Sequence, residues 1–260
     1  MKTGILLRWI GGAGGDTLCH LLSSQNDVYM NATFYGITED GQTSAWSKLD
    51  DEFPSFYKFS KHTNKNEDID SFKHDIIRLS EKKIPFIIKH HLFDKDFDRE
   101  LQEYAHIVDI GINLDVLPFV VKSNLEKTST MELTYLDDNL KKIINKLDDK
   151  QKQKIVIWNV VQNDIRLMKN FDLVNSPLQL GDFFHKTENV GNFFKTKGLK
   201  LDLKSKYFID WLEKNKKFQP NKKYQEYINN KNYQFDDDSL DMVERYVLLA
   251  LSNGKFRFLE

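Results

Sequence analysis

A glycine-rich turn near the N-terminus constrains the fold more than any other part of this sequence. The turn reads GGAGGDT at residues 11–17, with apolar segments before it at residues 4–10 and after it at residues 18–22. The first segment has the length and residue types of a buried strand, and the last is typical of a helix start. A strand, a glycine-rich turn and a helix together direct backbone N–H groups at a phosphate, and glycines let a ligand approach the backbone closely. This pattern predicts an anion site formed by Gly12, Ala13, Gly14, Gly15, Asp16 and Thr17, with a purely structural tight turn as the alternative.

Two well-known phosphate-binding patterns do not match this turn. The pattern G-x-x-x-x-G-K-[ST] requires a lysine before Thr17, and Asp16 stands there instead. The dinucleotide pattern G-x-G-x-x-G begins at Gly12 and Gly14 but meets Thr17 where its third glycine belongs. Asp16 is favourable as a helix N-cap, whereas its charge repels a phosphate. The turn alone therefore does not identify which anion it binds.

Composition and charge narrow the class of protein. The chain has 260 residues, 40% hydrophobic and 30% charged, so one large α/β domain or two small ones can bury a core. The formal net charge of −1 gives no reason to expect a nucleic-acid or anionic-membrane partner. Cys19 is the only cysteine, which excludes an internal disulfide, and the histidines lack the spacing of a metal site. The sequence start does not match a signal peptide, and no apolar run approaches the roughly 20 residues that cross a bilayer. We therefore expect a cytoplasmic protein without a bound metal.

Apolar strands alternate with amphipathic helices along the chain. Residues 84–90 and 105–112 have the continuous apolar character of strands that are buried on both faces. Together with the first segment, they predict a parallel sheet in which the three strands are neighbours with their carboxyl ends on a common edge. The predicted fold is a single three-layer α/β domain over residues 1–260, with helices on both faces of a mostly parallel sheet and an irregular insertion near residues 38–70. Residues 155–168 fit either a strand or a helix.

A lysine and two histidines, Lys89, His90 and His91, stand at the end of the strand predicted at residues 84–90. Ligands of open parallel sheets bind at the carboxyl ends of the strands, where the glycine-rich turn also lies. Successive strand residues point to opposite faces, so Lys89 and His91 share one face and His90 lies on the other. The alternative is a solvated strand end with no chemistry.

Arg8 is a charged residue inside the first apolar segment. A guanidinium within a buried strand requires a partner, because burying an unpaired charge is costly. Asp109, on the third predicted strand, is the candidate partner, and a structural ion pair is the simplest expectation.

The sequence IKHHL at residues 88–92 resembles the Lys-Thr-His-Leu segment that ends a strand in P-loop sulfotransferases. The glycine-rich turn is similar to the phosphosulfate loop of that family, with Gly12 at the position of its lysine and Asp16 at that of a hydroxyl residue. The resemblance implies sulfuryl transfer from 3′-phosphoadenosine 5′-phosphosulfate to a hydroxyl of a small-molecule or peptide acceptor. It assigns His91 as the general base and Lys89, with the loop amides, as the groups that stabilise charge on the bridging phosphate.

The site that the resemblance implies for the cofactor's 3′-phosphate departs from the family. The family's Asp-Val pair is present at residues 115–116, but Gly111 and Phe119 stand where an Arg and a Ser hold the 3′-phosphate. Lys122 and Ser123 lie one turn further along and are the candidate replacements.

The likeness extends over residues 4–199 and includes segments at residues 178–184 and 192–199. Two other functions stay open. The first alternative is a non-catalytic binding or interaction protein on the same fold. The second is another nucleotide-dependent enzyme that uses the glycine-rich turn. In the latter case Glu39 or Asp40 stands at a suitable distance for a ribose contact.

Residues 195–223 are rich in lysine, with ten lysines against three acidic residues. Such a run can bind an acidic partner or a nucleic acid. The lysines alternate with Phe208, Trp211 and Leu212 at helical spacing, so a solvated face of an amphipathic helix is the simpler interpretation.

Overall fold

The computed structural model describes residues 2, 4–11, 13, 15–30, 66–90, 92–128, 142, 146–219 and 240–253. The chain divides into two units, and it passes between them several times without a linker-like sequence. The first unit comprises Met1–Trp9, Gly14–Ile110 and Asp182–Asn215, and the second comprises Ile10–Ala13, Gly111–Gly181 and Lys216–Glu260. The expectation of a single domain over residues 1–260 stays a prediction.

Five strands form one sheet in the order β2-β3-β1-β4-β5. The central strand β1 pairs in parallel with β3 and β4, and β2 pairs in parallel with β3. The prediction that the three long apolar segments are parallel neighbours is therefore confirmed, and the fold is of the α/β class. The strands are β1 (Gly4–Arg8), β2 (Tyr29–Met30), β3 (Phe86–His90), β4 (Ala105–Gly111) and β5 (Leu178–Gln179).

Continuous burial along β1 explains why the sequence reads as an unbroken apolar run. Ile5, Leu6 and Leu7 are each no more than 2% exposed. Since successive strand residues point to opposite faces, the sheet is covered on both faces at this strand, as parallel sheets are.

The helices of the first unit are mostly those that the apolar spacing predicts. A glycine at the end of this apolar pattern predicts a helix C′ residue, and Gly198 follows α5 in the left-handed conformation at φ 78°. The helices are α1 (Gly15–Ser24), α2 (Asn66–Glu81), α3 (Lys95–Leu101), α4 (Asp182–His185), α5 (Thr187–Thr196) and α6 (Lys206–Asn215).

Two boundaries in the first unit differ from expectation. Helix α2 begins at Asn66, so the end of the insertion predicted near residues 38–70 is helical, and residues 38–65 lie outside the described part of the chain. The spacing of Phe184, Val190 and Phe194 predicts a single helix that Asp182 caps, whereas the structure has two helices separated at Lys186. The short helix α3 was not foreseen. Asp94 caps it, accepting hydrogen bonds from the backbone N–H groups of residues 96 and 97.

An apolar cluster of the first unit joins the sheet to α2 and α3. Phe72, Ile76 and Leu79 recur at helical spacing on one side of α2, and all three are fully buried. They pack with buried residues of the strands and of α3, including Leu6, Phe86, Ile88, Phe97 and Leu101.

The second unit contains longer helices and the short strand β5. The ambiguous residues 155–168 are helical, because they belong to α8, which starts with a capping box between Asp148 and Gln151. A proline fits the first turn of a helix better than its middle, and Pro118 lies in the first turn of α7, where its missing N–H costs nothing. Leu180 donates its backbone N–H to the Gly111 carbonyl at 2.9 Å, next to β5. The helices are α7 (Leu117–Thr128), α8 (Asp149–Asn170) and α9 (Met242–Asn253), with short 3₁₀ helices at Leu173–Asn175 and Lys216–Phe218.

Within the described ranges, no helix has both the length and the apolar character needed to cross a membrane.

Candidate functional site at the carboxyl ends of the strands

Arg8, the last residue of β1, is the centre of an ionic cluster in the first unit. Its side chain is only 1% exposed, and its Nε and Nη2 donate to the two carboxylate oxygens of Asp109 at 2.6 and 2.9 Å. Its Nη1 donates to Asp98 on α3 at 2.7 Å and to the Leu92 carbonyl at 3.2 Å. The Phe93 ring lies 4.9 Å from the guanidinium carbon. The expected pairing of Arg8 with Asp109 is confirmed, and Asp98 is a second partner that the sequence did not suggest.

This cluster joins three elements at the edge of the sheet where ligands of parallel sheets bind. Arg8 stands opposite Asp109 in the register of β1 with β4, so the bidentate pair runs across two neighbouring strands. Burial raises the pKa of Asp98, against the opposing effect of Arg8, and the charges of Asp109 and Asp94 raise it further. Because the donors of Arg8 are engaged by two carboxylates and a carbonyl, the arrangement holds β1 in place directly before the glycine-rich turn.

The helix after the glycine-rich turn begins at Gly15, which places Thr17 in its first turn, as predicted. Asp16 is the second residue of this helix and not the N-cap, so that part of the expectation is corrected. A carboxylate in the first turn is still favourable because of the helix dipole. The side chains of Asp16 and Thr17 are not among the described ones.

Gly15 has a packing reason to be glycine. A Cβ at this position would lie 1.9 to 2.4 Å from ring carbons of Trp9, which is itself buried. The ring therefore packs directly against the backbone at the start of α1. A side chain at residue 15 is excluded here even if no ligand ever binds.

The first residues of the turn, which belong to the second unit, are joined by a backbone hydrogen bond. Ala13 donates its N–H to the Ile10 carbonyl at 3.2 Å, and its side chain is 1% exposed. The amide of Ala13 is thus engaged within the turn, and the anion site predicted at residues 12–17 stays a prediction. Gly12 and Gly14 lie outside the described residues.

The end of β3 follows the predicted alternation of faces. His90 is 4% exposed and packs beside two aromatic rings, with centroid distances of 6.0 Å to Phe72 and 5.3 Å to Phe97. Lys89, one residue earlier, is partly exposed and stands opposite Leu7. His91 lies outside the described residues, so its assignment as the base stays a prediction.

Lys122, expected at the 3′-phosphate, is held by two carboxylates in the second unit. Its Nζ lies 2.5 Å from Asp241 and 2.8 Å from Glu244. Those residues also cap α9 reciprocally, since each backbone N–H donates to the other's carboxylate. Burial opposes the charge of Lys122, but the hydrogen bonds and charges of the two acids outweigh it and raise the pKa of Lys122.

Ser123, the other residue expected at the 3′-phosphate, is 7% exposed and accepts a hydrogen bond from Lys217 Nζ at 3.3 Å. Lys217 belongs to the 3₁₀ helix at Lys216–Phe218 and is 94 residues away in sequence. Sequence reasoning missed this lysine because its only signal was membership of the lysine-rich run. A buried hydroxyl beside an ammonium is an arrangement that can bind an anion.

No protein-family model, curated protein or solved structure matches this chain. Among the described residues, no group of three or more His, Cys, Asp or Glu side chains is placed to hold a metal ion.

Proposed function

We propose that this chain is a sulfotransferase-like enzyme, which transfers a sulfuryl group from 3′-phosphoadenosine 5′-phosphosulfate to a hydroxyl of a small-molecule or peptide acceptor. The observation that carries the proposal is the position of the glycine-rich turn in the sheet. In the order β2-β3-β1-β4-β5, the strand that follows β1 in the chain, β2, lies toward one edge of the sheet. The strand that follows the neighbouring β4, β5, lies toward the opposite edge. Ligands of open α/β sheets bind beside the strand ends at such a switch point. The glycine-rich turn, which follows β1, is the phosphate-binding element that this position calls for.

The chemistry follows the roles that the family resemblance implies. The acceptor oxygen forms a bond to sulfur as its proton passes to His91, and the bond between sulfur and the bridging oxygen breaks. The leaving group is adenosine 3′,5′-bisphosphate, whose new phosphate charge is stabilised by Lys89, by Thr17 and by the remaining loop amides. Partial exposure of Lys89 at the end of β3 is compatible with this role.

For the 3′-phosphate, the contacts in the second unit favour Lys217 and Ser123 over Lys122. The ammonium of Lys122 is already neutralised by Asp241 and Glu244. Lys217, in contrast, points to an uncharged hydroxyl, so that an incoming phosphate gains a cation without displacing a carboxylate. We therefore expect binding of the 3′-phosphate to depend on Lys217.

Two measurements test the proposal. Isothermal titration calorimetry with adenosine 3′,5′-bisphosphate should show binding, and adenosine 5′-monophosphate, which lacks the 3′-phosphate, should bind more weakly. With 3′-phosphoadenosine 5′-phosphosulfate and a phenol or a tyrosine-containing peptide as acceptor, His91→Ala should lower turnover by about 10²–10⁴-fold. His185→Ala, which changes an exposed histidine, is the matched control. Absence of nucleotide binding contradicts the proposal.

A non-catalytic binding protein on the same frame is the second candidate. It is favoured by the engagement of the Ala13 amide within the turn and by the packing of Trp9 against Gly15, since both account for the turn without a ligand. If calorimetry detects neither adenosine 3′,5′-bisphosphate nor adenosine 5′-monophosphate while the protein is folded, this reading replaces the first. Preferential binding of a different nucleotide would instead favour another nucleotide-dependent enzyme.

A further inference from the structure

A surface groove of about 680 Å³ runs beside α5 in the first unit. One wall is the helix itself, with Gly191 and Lys195, and the other is the segment after the helix, with Leu199, Lys200 and Leu201. We call this surface the α5 groove. It uses none of the residues of the proposed nucleotide site, and it includes Lys195 and Lys200 of the lysine-rich run, to which the proposed function assigns no role.

The floor of the α5 groove is apolar and includes bare backbone. Leu199 and Leu201 are 7% and 9% exposed, and Leu203 completes the row. Glycine is unfavourable inside a helix, yet Gly191 lies in the middle of α5. A Cβ at Gly191 would approach Leu203 Cδ1 to 3.3 Å, so the absence of a side chain lets Leu203 pack close to the helix backbone.

The rim of the α5 groove carries lysines that are not neutralised. Elsewhere in the same unit, Lys186 pairs with Asp182 and Lys206 with Asp210 through i,i+4 contacts. Lys195 and Lys200 are exposed, and within the described ranges neither ammonium forms an ion pair with a carboxylate. The groove therefore carries two exposed ammonium groups.

The positive potential extends past the end of α5. Burial lowers the pKa of His106, and the charges of Lys197 and Lys2 lower it further. Glu188 is the acidic residue among those described as lining the groove. The partner that complements two lysines over a row of leucines is one that combines carboxylates with apolar side chains.

We propose that the α5 groove docks an acidic peptide segment whose carboxylates meet Lys195 and Lys200 and whose apolar side chains pack on the partly exposed Leu203. A nucleic acid fits the groove less well. Its described lining carries no aromatic ring on which a base would stack, and Glu188 opposes a phosphate backbone.

The test is fluorescence anisotropy with a labelled peptide of alternating Leu and Asp or Glu residues, measured at low salt. The full-length chain should bind it, and the affinity should fall as sodium chloride is added. The double substitution Lys195→Gln with Lys200→Gln should weaken binding about tenfold, since two exposed ion pairs are lost. The matched control is Lys150→Gln with Lys154→Gln, which removes two exposed lysines of α8 and should leave the affinity unchanged.

Peptide variants separate the two parts of the proposed contact. Replacing every Asp and Glu of the peptide by Asn and Gln should abolish binding, and replacing its leucines by Ser should weaken it. The proposal is overturned if the labelled peptide does not bind, or if both lysine pairs weaken it equally. It is also overturned if a single-stranded oligonucleotide binds more tightly than the peptide and if only the double substitution at Lys195 and Lys200 abolishes that binding. The surface then recognises nucleic acid. Failure here leaves nucleotide binding at the glycine-rich turn unaffected.

Discussion

Arg8 and Lys122 are each held by two carboxylates, but the two side chains differ in their exposure to solvent. Arg8 in the first unit is 1% exposed and contacts Asp98 and Asp109. Lys122 in the second unit is 28% exposed and contacts Asp241 and Glu244. The N–H groups of Arg8 donate to protein oxygens where they would otherwise donate to water. A guanidinium is suited to such burial because its donors form a rigid fork. Lys122 keeps contact with water and supports a helix cap.

The comparison separates what a charged residue does for folding from what it can do for a ligand. Removal of one member of a buried cluster leaves uncompensated charge in a poorly solvated site. Removal of one member of a half-exposed cluster exposes groups that water can solvate. We therefore expect the Arg8 cluster to be required for stability and the Lys122 cluster to be replaceable.

The largest expected effect is that of Arg8→Met. The free energy of unfolding, measured by urea denaturation, should fall by about 3–5 kcal/mol because two carboxylates lose their cation. Arg99→Met is the control, since Arg99 is 72% exposed and pairs with Asp96 on the surface of α3. That substitution should change stability by less than about 0.5 kcal/mol.

If Arg8→Met fails to fold, the triple variant with Asp98→Asn and Asp109→Asn decides the question. It removes the uncompensated charges together with the cation and should recover a large part of the lost stability. Equal losses for Arg8→Met and Arg99→Met would contradict the structural role of the cluster.

The second prediction concerns nucleotide affinity and depends on the proposed function. Lys217→Gln should weaken adenosine 3′,5′-bisphosphate by about 1.5–3 kcal/mol, as expected for a lost charge-assisted hydrogen bond. Lys122→Gln should change the affinity less than about twofold, because its ammonium is already neutralised by Asp241 and Glu244. Calorimetry on the two variants gives the answer. The reverse pattern would show that Lys122 leaves the helix cap to bind the phosphate.

A third, smaller effect is expected on stability from Lys122→Met. The half-exposed cluster should lose about 1 kcal/mol in urea denaturation. The loss should not add to that of Asp241→Asn, since the two residues are in direct contact. Additive losses in the double-mutant cycle would mean that the contact contributes nothing to stability.

The smallest effect is a difference in pH dependence between the two clusters. The pKa of Asp98 is raised in the folded state, chiefly by burial, so its contribution to stability is present at low pH and is lost as the pH rises above 3.8. The pKa of Asp241 is lowered, since its hydrogen bond with Lys122 and the charge of that lysine outweigh burial, so its contribution is lost as the pH falls below 3.8.

Stability curves of Asp98→Asn and Asp241→Asn against wild type, from pH 2.5 to 7, check these signs. The advantage of wild type over Asp98→Asn should shrink as the pH rises. The advantage of wild type over Asp241→Asn should grow as the pH rises from its lowest values. Slopes of the same sign in both comparisons would contradict the distinction between the two clusters.

The part of the fold that sequence reasoning foresaw is the part governed by local pattern. The central strand, its two parallel neighbours and helix α2 all follow from unbroken or periodic apolar spacing. Helix α3 was missed because it has only seven residues, too few to establish a period. The split at Lys186 was missed because the apolar residues on either side of it fit one continuous helix.

The candidate site was foreseen less completely. Strand alternation predicted that Lys89 and His90 lie on opposite faces, whereas the burial of His90 came from the packing of α2 and α3. The engagement of the Ala13 amide was not visible, because a glycine-rich stretch permits many turns and the residue letters do not select one. The role of Gly15 was attributed to ligand approach, whereas the structure gives a packing reason in Trp9.

By itself, the sequence determined that β1 is buried on both faces and that Arg8 within it requires an acidic partner, because these follow from the cost of burying a charge. Only the tertiary structure decided that Asp98 is the second partner, that Lys122 is bound by acids some 120 residues away, and that Lys217 reaches Ser123. The reason is physical. Burial of a single segment is encoded in its own residues, whereas the choice among many carboxylates and lysines depends on which elements pack side by side.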